Sequence, residues 1–359
     1  MSGFDYRPFA VVTLLALAAC SEAPPPAEDT ASPPKPVAVA ERWLTHHDDT
    51  ANIDSVAVWS DGSDRHWLIA TAKSTHELII YDAVTGERID SVGGAGDAPG
   101  RLLRPNGISV VDDLAWVVER DNRRIQVLSL PGFTPVAEFG RNVLEKPYGL
   151  WVMPTGTGYR VFVTDAYMAT ADAIPADAQL DRRLQRFDVR RDGGRLVIEY
   201  AGALGPTMGD GRLTKVESLF GDIEHDRLLV ADEHMSRLDV KVFDLAGHYT
   251  GQRLAEGILQ YEPEGIALYP CSDGSGMWII TDQEDVDNRF LAFDRETLAL
   301  LGAFTGETTA NTDGVWLHAN AVPGFPEGAF YAVHDDGSVG AFDLAEILAA
   351  VDRQPCRTD

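Results

Sequence analysis

"EPEGIALY", residues 262–269, sets two glutamates around a proline immediately before a short apolar run. Carboxylates at the start of a buried strand cost free energy unless something there uses them. Five further segments share the order of a polar residue, a small residue and alternating apolar positions. They are "NIDSVAVW" (52–59), "RPNGISVV" (104–111), "KPYGLWVM" (146–153), "KVESLFGD" (215–222) and "NTDGVWLH" (311–318). Each is followed by a second strand-like run, such as "HWLIATAK", "RLLVADEH" or "MWIITDQE". A third run often carries an aromatic–Asp pair, as in Tyr81-Asp82, Phe187-Asp188, Phe243-Asp244, Phe293-Asp294 and Phe342-Asp343. A fourth, such as "PVAEFG" or "LLGAFTG", closes most units.

Short alternating runs bounded by Gly, Pro and Asp read as strands. Four such strands in each of six units predict an all-β chain: a six-bladed β-propeller of four-stranded antiparallel blades. A doubly wound α/β fold is disfavoured, because no helical pattern of 10–15 residues separates the strands. The run "VAVAERWLT" ahead of the first unit is expected to join the last blade and close the ring, removing open edges. Residues 169–183 read as the long loop of the third unit, and "LAEILAAVDR" (344–353) as a short terminal helix.

The chain has 359 residues, 56 acidic against 30 basic, for a formal charge of −26. That balance argues against nucleic acid or an anionic membrane surface as partner. Residues 1–19 read as a signal peptide, with Arg7 and the apolar run "FAVVTLLALAA". "LALAAC" resembles the lipobox of bacterial lipoproteins, which implies a lipidated Cys20; an ordinary signal peptide is the alternative. Residues 20–38 form a Pro-rich linker and 39–359 the propeller. The expectation is a monomer in the bacterial cell envelope, periplasmic or at the outer membrane, held to the membrane by its N-terminal lipid only. Cys271 and Cys356 then remain, an even pair that suggests a disulfide, with two free thiols as the alternative.

In a propeller the first strand of each blade lines the central channel, and the second ends beside the first strand's start. The aligned polar residues Asp54, Asn106, Tyr148, Glu217, Glu264 and Asp313 should therefore ring one mouth. The second-strand ends add Lys73, Glu119, Arg120, Asp165, Glu233, Gln283, His334 and Asp335, and strand alternation points Glu262 the same way as Glu264. Crowded carboxylates either protonate or hold a cation, and many oxygen donors with little Cys or His suit Ca²⁺ rather than zinc. Any single Asn-Gly or Glu-Gly before a strand could be ordinary turn chemistry. The aromatic–Asp pairs read as structural. No G-x-S-x-G elbow and no phosphate-cradling glycine loop is present.

Residues 96–132, with "RPNGI" and "NRRIQV", resemble an NHL repeat over about one blade. From about residue 50 to 343 the pattern resembles the β-propeller phytases, six-bladed calcium-dependent phosphatases of inositol phosphates. "IDSVAVW", "ATAKS", "PYGL", "VES … ADE", "EPEGIALY", "TDQE" and "TDGVW" stand where that family has its site motifs. The resemblance implies calcium held by Asp54, Asn106, Tyr148, Glu217, Glu233, Glu262, Glu264, Gln283 and Asp313. It implies catalytic roles for Glu217, Glu264, Lys73 and Arg120, with a small phosphorylated substrate held by Lys73, Arg120 and Tyr148. Departures are Ile53, Ser74 and Asp165-Ala166, where the family has an acid and two lysines. A metal-dependent lactonase-type propeller, using Asn106, Glu217 and Asp313, and a non-catalytic NHL-like binding module are the competing readings.

Overall fold

The computed structural model describes Met1, Gly3 and residues 34–170, 173–286 and 288–358. Apart from Met1 and Gly3, the proposed signal peptide, Cys20 and most of the linker lie outside the described residues. The unit Ser32–Asp359 is the six-bladed propeller. Its first strands are Ile53–Ser60, Pro105–Val111, Pro147–Thr155, Leu219–Asp222, Glu262–Pro270 and Val315–His318, each innermost in a four-stranded antiparallel meander. The ring closes with chain from both ends: Trp43–Leu44 pairs antiparallel with Ser338–Asp343 as the outer strand of the sixth blade. Val37–Val39 goes further than expected and adds a parallel fifth strand to the fifth blade. The helix Leu344–Ala350 follows directly, capped by the Asp343 carboxylate, which accepts from the Ala345 N–H.

The apolar positions fill the interfaces between blades rather than one central core. Six buried clusters each join two neighbouring sheets. One is Trp116, Val118, Tyr159 and Val161 between blades two and three; another is Phe290, Phe304, Phe330 and Phe342 between blades five and six. Each such buried side chain contributes roughly 1.5–3 kcal/mol. The small residue of the repeated pattern has a packing role where blades converge on the channel. A Cβ on Gly149 would lie 2.3 Å from the Glu217 carbonyl oxygen, and one on Gly314 would lie 2.4 Å from that of Asp54.

The polar residue sits in a β-bulge. Ile53 pairs with Ala72 but Val56 with Ala70, so three steps along the first strand oppose two along the second. The same slip separates Pro105 from Ile108, Pro147 from Leu150, and Pro263 from Ile266. A bulge re-aims the extra residue, and here the residues it carries are Asp54, Asn106, Tyr148 and Glu264.

Candidate metal centre at the channel mouth

The aligned residues Asp54, Asn106, Tyr148, Glu217, Glu264 and Asp313, with the second-strand ends beside them, form two groups. In the first, Lys73 Nζ lies 2.8 Å from Asp54 Oδ1 and 3.2 Å from Asp313 Oδ2. Tyr148 donates its hydroxyl to Asp54 Oδ1 at 2.9 Å, Asn106 donates from Nδ2 to the same oxygen at 3.4 Å, and Gln283 donates its amide N–H to Asp313. Burial alone would depress the Lys73 ammonium, but Asp54 and Asp313 outweigh it and hold its pKa above the ordinary value. Burial pushes the Asp313 carboxyl up to about 7 against the opposing pull of Lys73. This group is internally compensated.

The second group is Glu217, Glu233 and Glu264, each offering an oxygen within 4.8 Å of the others. Burial raises the Glu217 carboxyl to about 8, with the Asp54 charge adding to the effect. Burial and the neighbouring carboxylates push Glu233 and Glu264 well above the carboxylate range. Glu233 is fully buried, and neither of its carboxylate oxygens accepts a well-aligned hydrogen bond. Its charged neighbour is Lys215, whose Nζ lies 3.0 Å from Glu233 Oε2 and 3.0 Å from Glu262 Oε1. Three hard oxygen donors that repel one another, two of them buried and Glu233 without a well-aligned hydrogen bond, fit a cation of the Ca²⁺ type. Glu217, Glu233 and Glu264 would hold it.

Several expected residues lie elsewhere. Glu119 and Asp165 do not face the mouth. Together with Asp232 and Asp282 they lie at or next to the ends of the second strands and tie down the loop entering the first strand. Asp165 accepts from the Glu145 and Lys146 N–H groups, Asp232 from Thr214 and Lys215, Asp282 from Gln260 and Tyr261, and Glu119 from Leu103. The next residue holds the equivalent place in all six blades, Lys73, Arg120, Ala166, Glu233, Gln283 and Asp335, and of these Lys73, Glu233 and Gln283 meet the mouth residues. Arg120 is turned to its neighbour Asp121 at 2.9 Å and is not brought to the carboxylates. His334 accepts the Ala310 N–H.

The alternation argument for Glu262 fails because the bulge at Pro263/Ile266 interrupts it. Glu262 lies at the rim, 37% exposed, on Lys215, while Glu264 is buried. Lys215 is not among the residues that the strand starts and ends single out. A signal existed: two places before the bulge residue the aligned segments carry Asn52, Arg104, Lys146, Lys215, Glu262 and Asn311. Opposite charges at the same place in adjacent blades should pair.

Just past the end of the fifth blade's innermost strand, away from the mouth, Cys271 and Cys356 are joined as a disulfide, Cα–Cα 5.7 Å, tying the C-terminal tail to that blade. No described protein family matches the chain, and no curated protein sequence matches it. Among solved structures, hydrazine synthase of Kuenenia stuttgartiensis superposes with TM-score 0.50 over 86% of this chain and 81% of its own, at 14% identity. A β-propeller domain from Myceliophteria thermophila gives TM-score 0.49 over 84% of this chain and 99% of its own, at 11% identity. A chain of a nidogen/laminin complex gives 0.47 over 76% and 87%, at 16% identity. Likeness at this identity concerns the fold alone.

Proposed function

We propose that the protein is a Ca²⁺-dependent hydrolase of phosphomonoesters, such as inositol phosphates, working at the channel mouth. The observation that carries this reading is the Glu217–Glu233–Glu264 cluster, three carboxylates with oxygens within 4.8 Å of one another, Lys215 as the ammonium beside Glu233, and a donor set suited to calcium. Bound calcium would supply a water of lowered pKa and offset charge developing on the phosphoryl oxygens. The chain's own contribution is to bring the three carboxylates together from two adjacent blades: Glu217 just before the fourth blade's first strand, Glu233 just after its second, and Glu264 in the fifth blade's first strand. Tyr148 lies between Asp54 and Glu217, so it links the compensated group to the acidic one. Lys73, clamped by two aspartates and 7% exposed, fixes that wall in place.

A lactone-type substrate is a second reading, and two observations favour it. Lys73 is committed to aspartates and Arg120 to Asp121, which leaves little free positive charge for a polyphosphate. The loops on the mouth side expose Met208 (74%), Met235 (74%) and Val286 (83%), surfaces that suit an apolar substrate better than a highly charged one.

Phosphate release from inositol phosphates and hydrolysis of aliphatic lactones, each with Ca²⁺ and with a chelator, separate the two. Calcium-dependent phosphate release, lowered about 100-fold or more in Glu264→Gln, is the expected result. Lactone hydrolysis without phosphatase activity selects the second reading. Failure to hydrolyse any phosphate ester while Ca²⁺ binds removes the first.

A further inference from the structure

The acidic cluster already has a cation beside it. Lys215 stands two residues before Glu217 in the chain. Its backbone is fixed by the Asp232 carboxylate, which accepts the Lys215 N–H at 3.1 Å, and by the Glu233 N–H, which donates to the Lys215 carbonyl at 2.9 Å. Its ammonium bridges Glu233, which is fully buried, and Glu262, which is 37% exposed at the rim. The lysine is itself 29% exposed, so its stem has solvent on one side and room to turn. Glu233 is thus claimed twice, by the ammonium and by the site for a divalent ion.

We propose that Lys215 is a built-in competitor for the divalent ion, occupying Glu233 when the ion is absent and swinging fully onto Glu262 when it binds. This rests on the reading of Glu217, Glu233 and Glu264 as a metal centre. Two like charges on one buried carboxylate repel strongly in a medium of low effective dielectric. Each must therefore weaken the other's hold on Glu233, by the reciprocity of linked binding. Glu262 supplies the second resting place that makes the exchange possible: the lysine moves between two carboxylates and is never left unpaired. Lys215 then sets the calcium range over which the site fills, and filling the site delivers an ammonium to the rim, where a substrate anion would approach.

The test is calorimetric titration of the intact protein with Ca²⁺, with melting in chelator confirming that each variant is folded. Lys215→Gln keeps the stem and the backbone bonds and removes the charge; Lys215→Met serves as its duplicate should the glutamine variant melt early. Either should bind Ca²⁺ roughly tenfold or more tightly than the parent, while Lys215→Arg stays close to it. Glu262→Gln should weaken binding in the parent and change it little in the Lys215→Gln background, because Glu262 acts through the lysine. Binding in Lys215→Gln with none in the parent supports the competitor in its strongest form. Equal or weaker binding in Lys215→Gln overturns the competitor and leaves the metal centre standing. No binding in any variant overturns both.

Discussion

Glu233 concentrates the problem that the mouth poses. It is fully buried, accepts no well-aligned hydrogen bond, and shares its surroundings with Glu217 and Glu264. A carboxylate kept in that state lowers stability, since desolvation and like charges both oppose its ionised form. Removing the charge should therefore help the metal-free protein and harm the metal-loaded one. Glu233→Gln is expected to melt about 2 °C or more above the parent in chelator, and to lose most of the parent's rise in Tm on adding Ca²⁺. Scanning calorimetry with and without Ca²⁺ reads both. A variant that melts lower in chelator would mean that the pair with Lys215 outweighs the burial of the charge, and an undiminished rise in Tm on adding Ca²⁺ would remove Glu233 from the metal centre.

At the level of elements, the second to fifth blades each anchor the incoming loop with an acid near the end of the second strand, and they differ in what neutralises it. Glu119 has Arg124, Asp232 has Lys241 at 2.9 Å, and Asp282 has Arg289. In the third blade Gln185 stands where Lys241 stands in the fourth, and Arg183 donates to the carbonyls of Asp165 and Tyr167 instead of the carboxylate. Burial accordingly lifts the Asp165 carboxyl to about 6. A raised carboxyl pKa contributes stability that is present below about 4, the unfolded value, and is lost as pH rises through about 6. Gln185→Lys should restore the missing charge. Its Tm difference from the parent is expected near zero at pH 4.5 and positive at pH 7.5, and a difference flat with pH would contradict the assignment.

The same elements show what the sequence makes legible. Six segments of polar, small and apolar residues reveal the inner strands because every blade solves one packing problem, with Gly149 and Gly314 pressed against the carbonyls of the next blade. Alternation predicts which face is apolar, but it cannot register a bulge, because the slip between Pro263 and Ile266 depends on pairing with residues 280–282. Alternation alone therefore groups Glu262 with Glu264 and sets Glu119 and Asp165 at the mouth, where the residues after them hold that place. Arg120 was placed well along the chain, but its partner, Asp121, is a matter of rotamer.

For the whole molecule, the question is how a ring of six sheets stays shut. The first strand of the first blade begins at Ile53, and the seam between blades six and one has no covalent link except through residues 34–52. Trp43 spans that seam. Its strand pairs with Ser338–Asp343 of the sixth blade, while its indole N–H donates to the Val84 carbonyl of the first at 2.8 Å and its ring packs on Tyr331 and against Gly86. Arg42 reinforces the same strand from Nη2 to Asp343 Oδ2 at 2.6 Å, but half-exposed pairs of this kind contribute little. The indole outweighs it: a half-buried tryptophan truncated to alanine costs about 2–3 kcal/mol, below the range for full burial. Trp43→Ala should therefore unfold at lower urea with an unchanged slope if the ring opens and melts as one unit. Hydrogen exchange distinguishes the alternative. Early exchange limited to Leu68–Ala70 and Phe330–Ala332, the strands facing the seam, with the Glu217–Glu233–Glu264 blades still protected, would show that the ring unzips locally and that the mouth survives its opening.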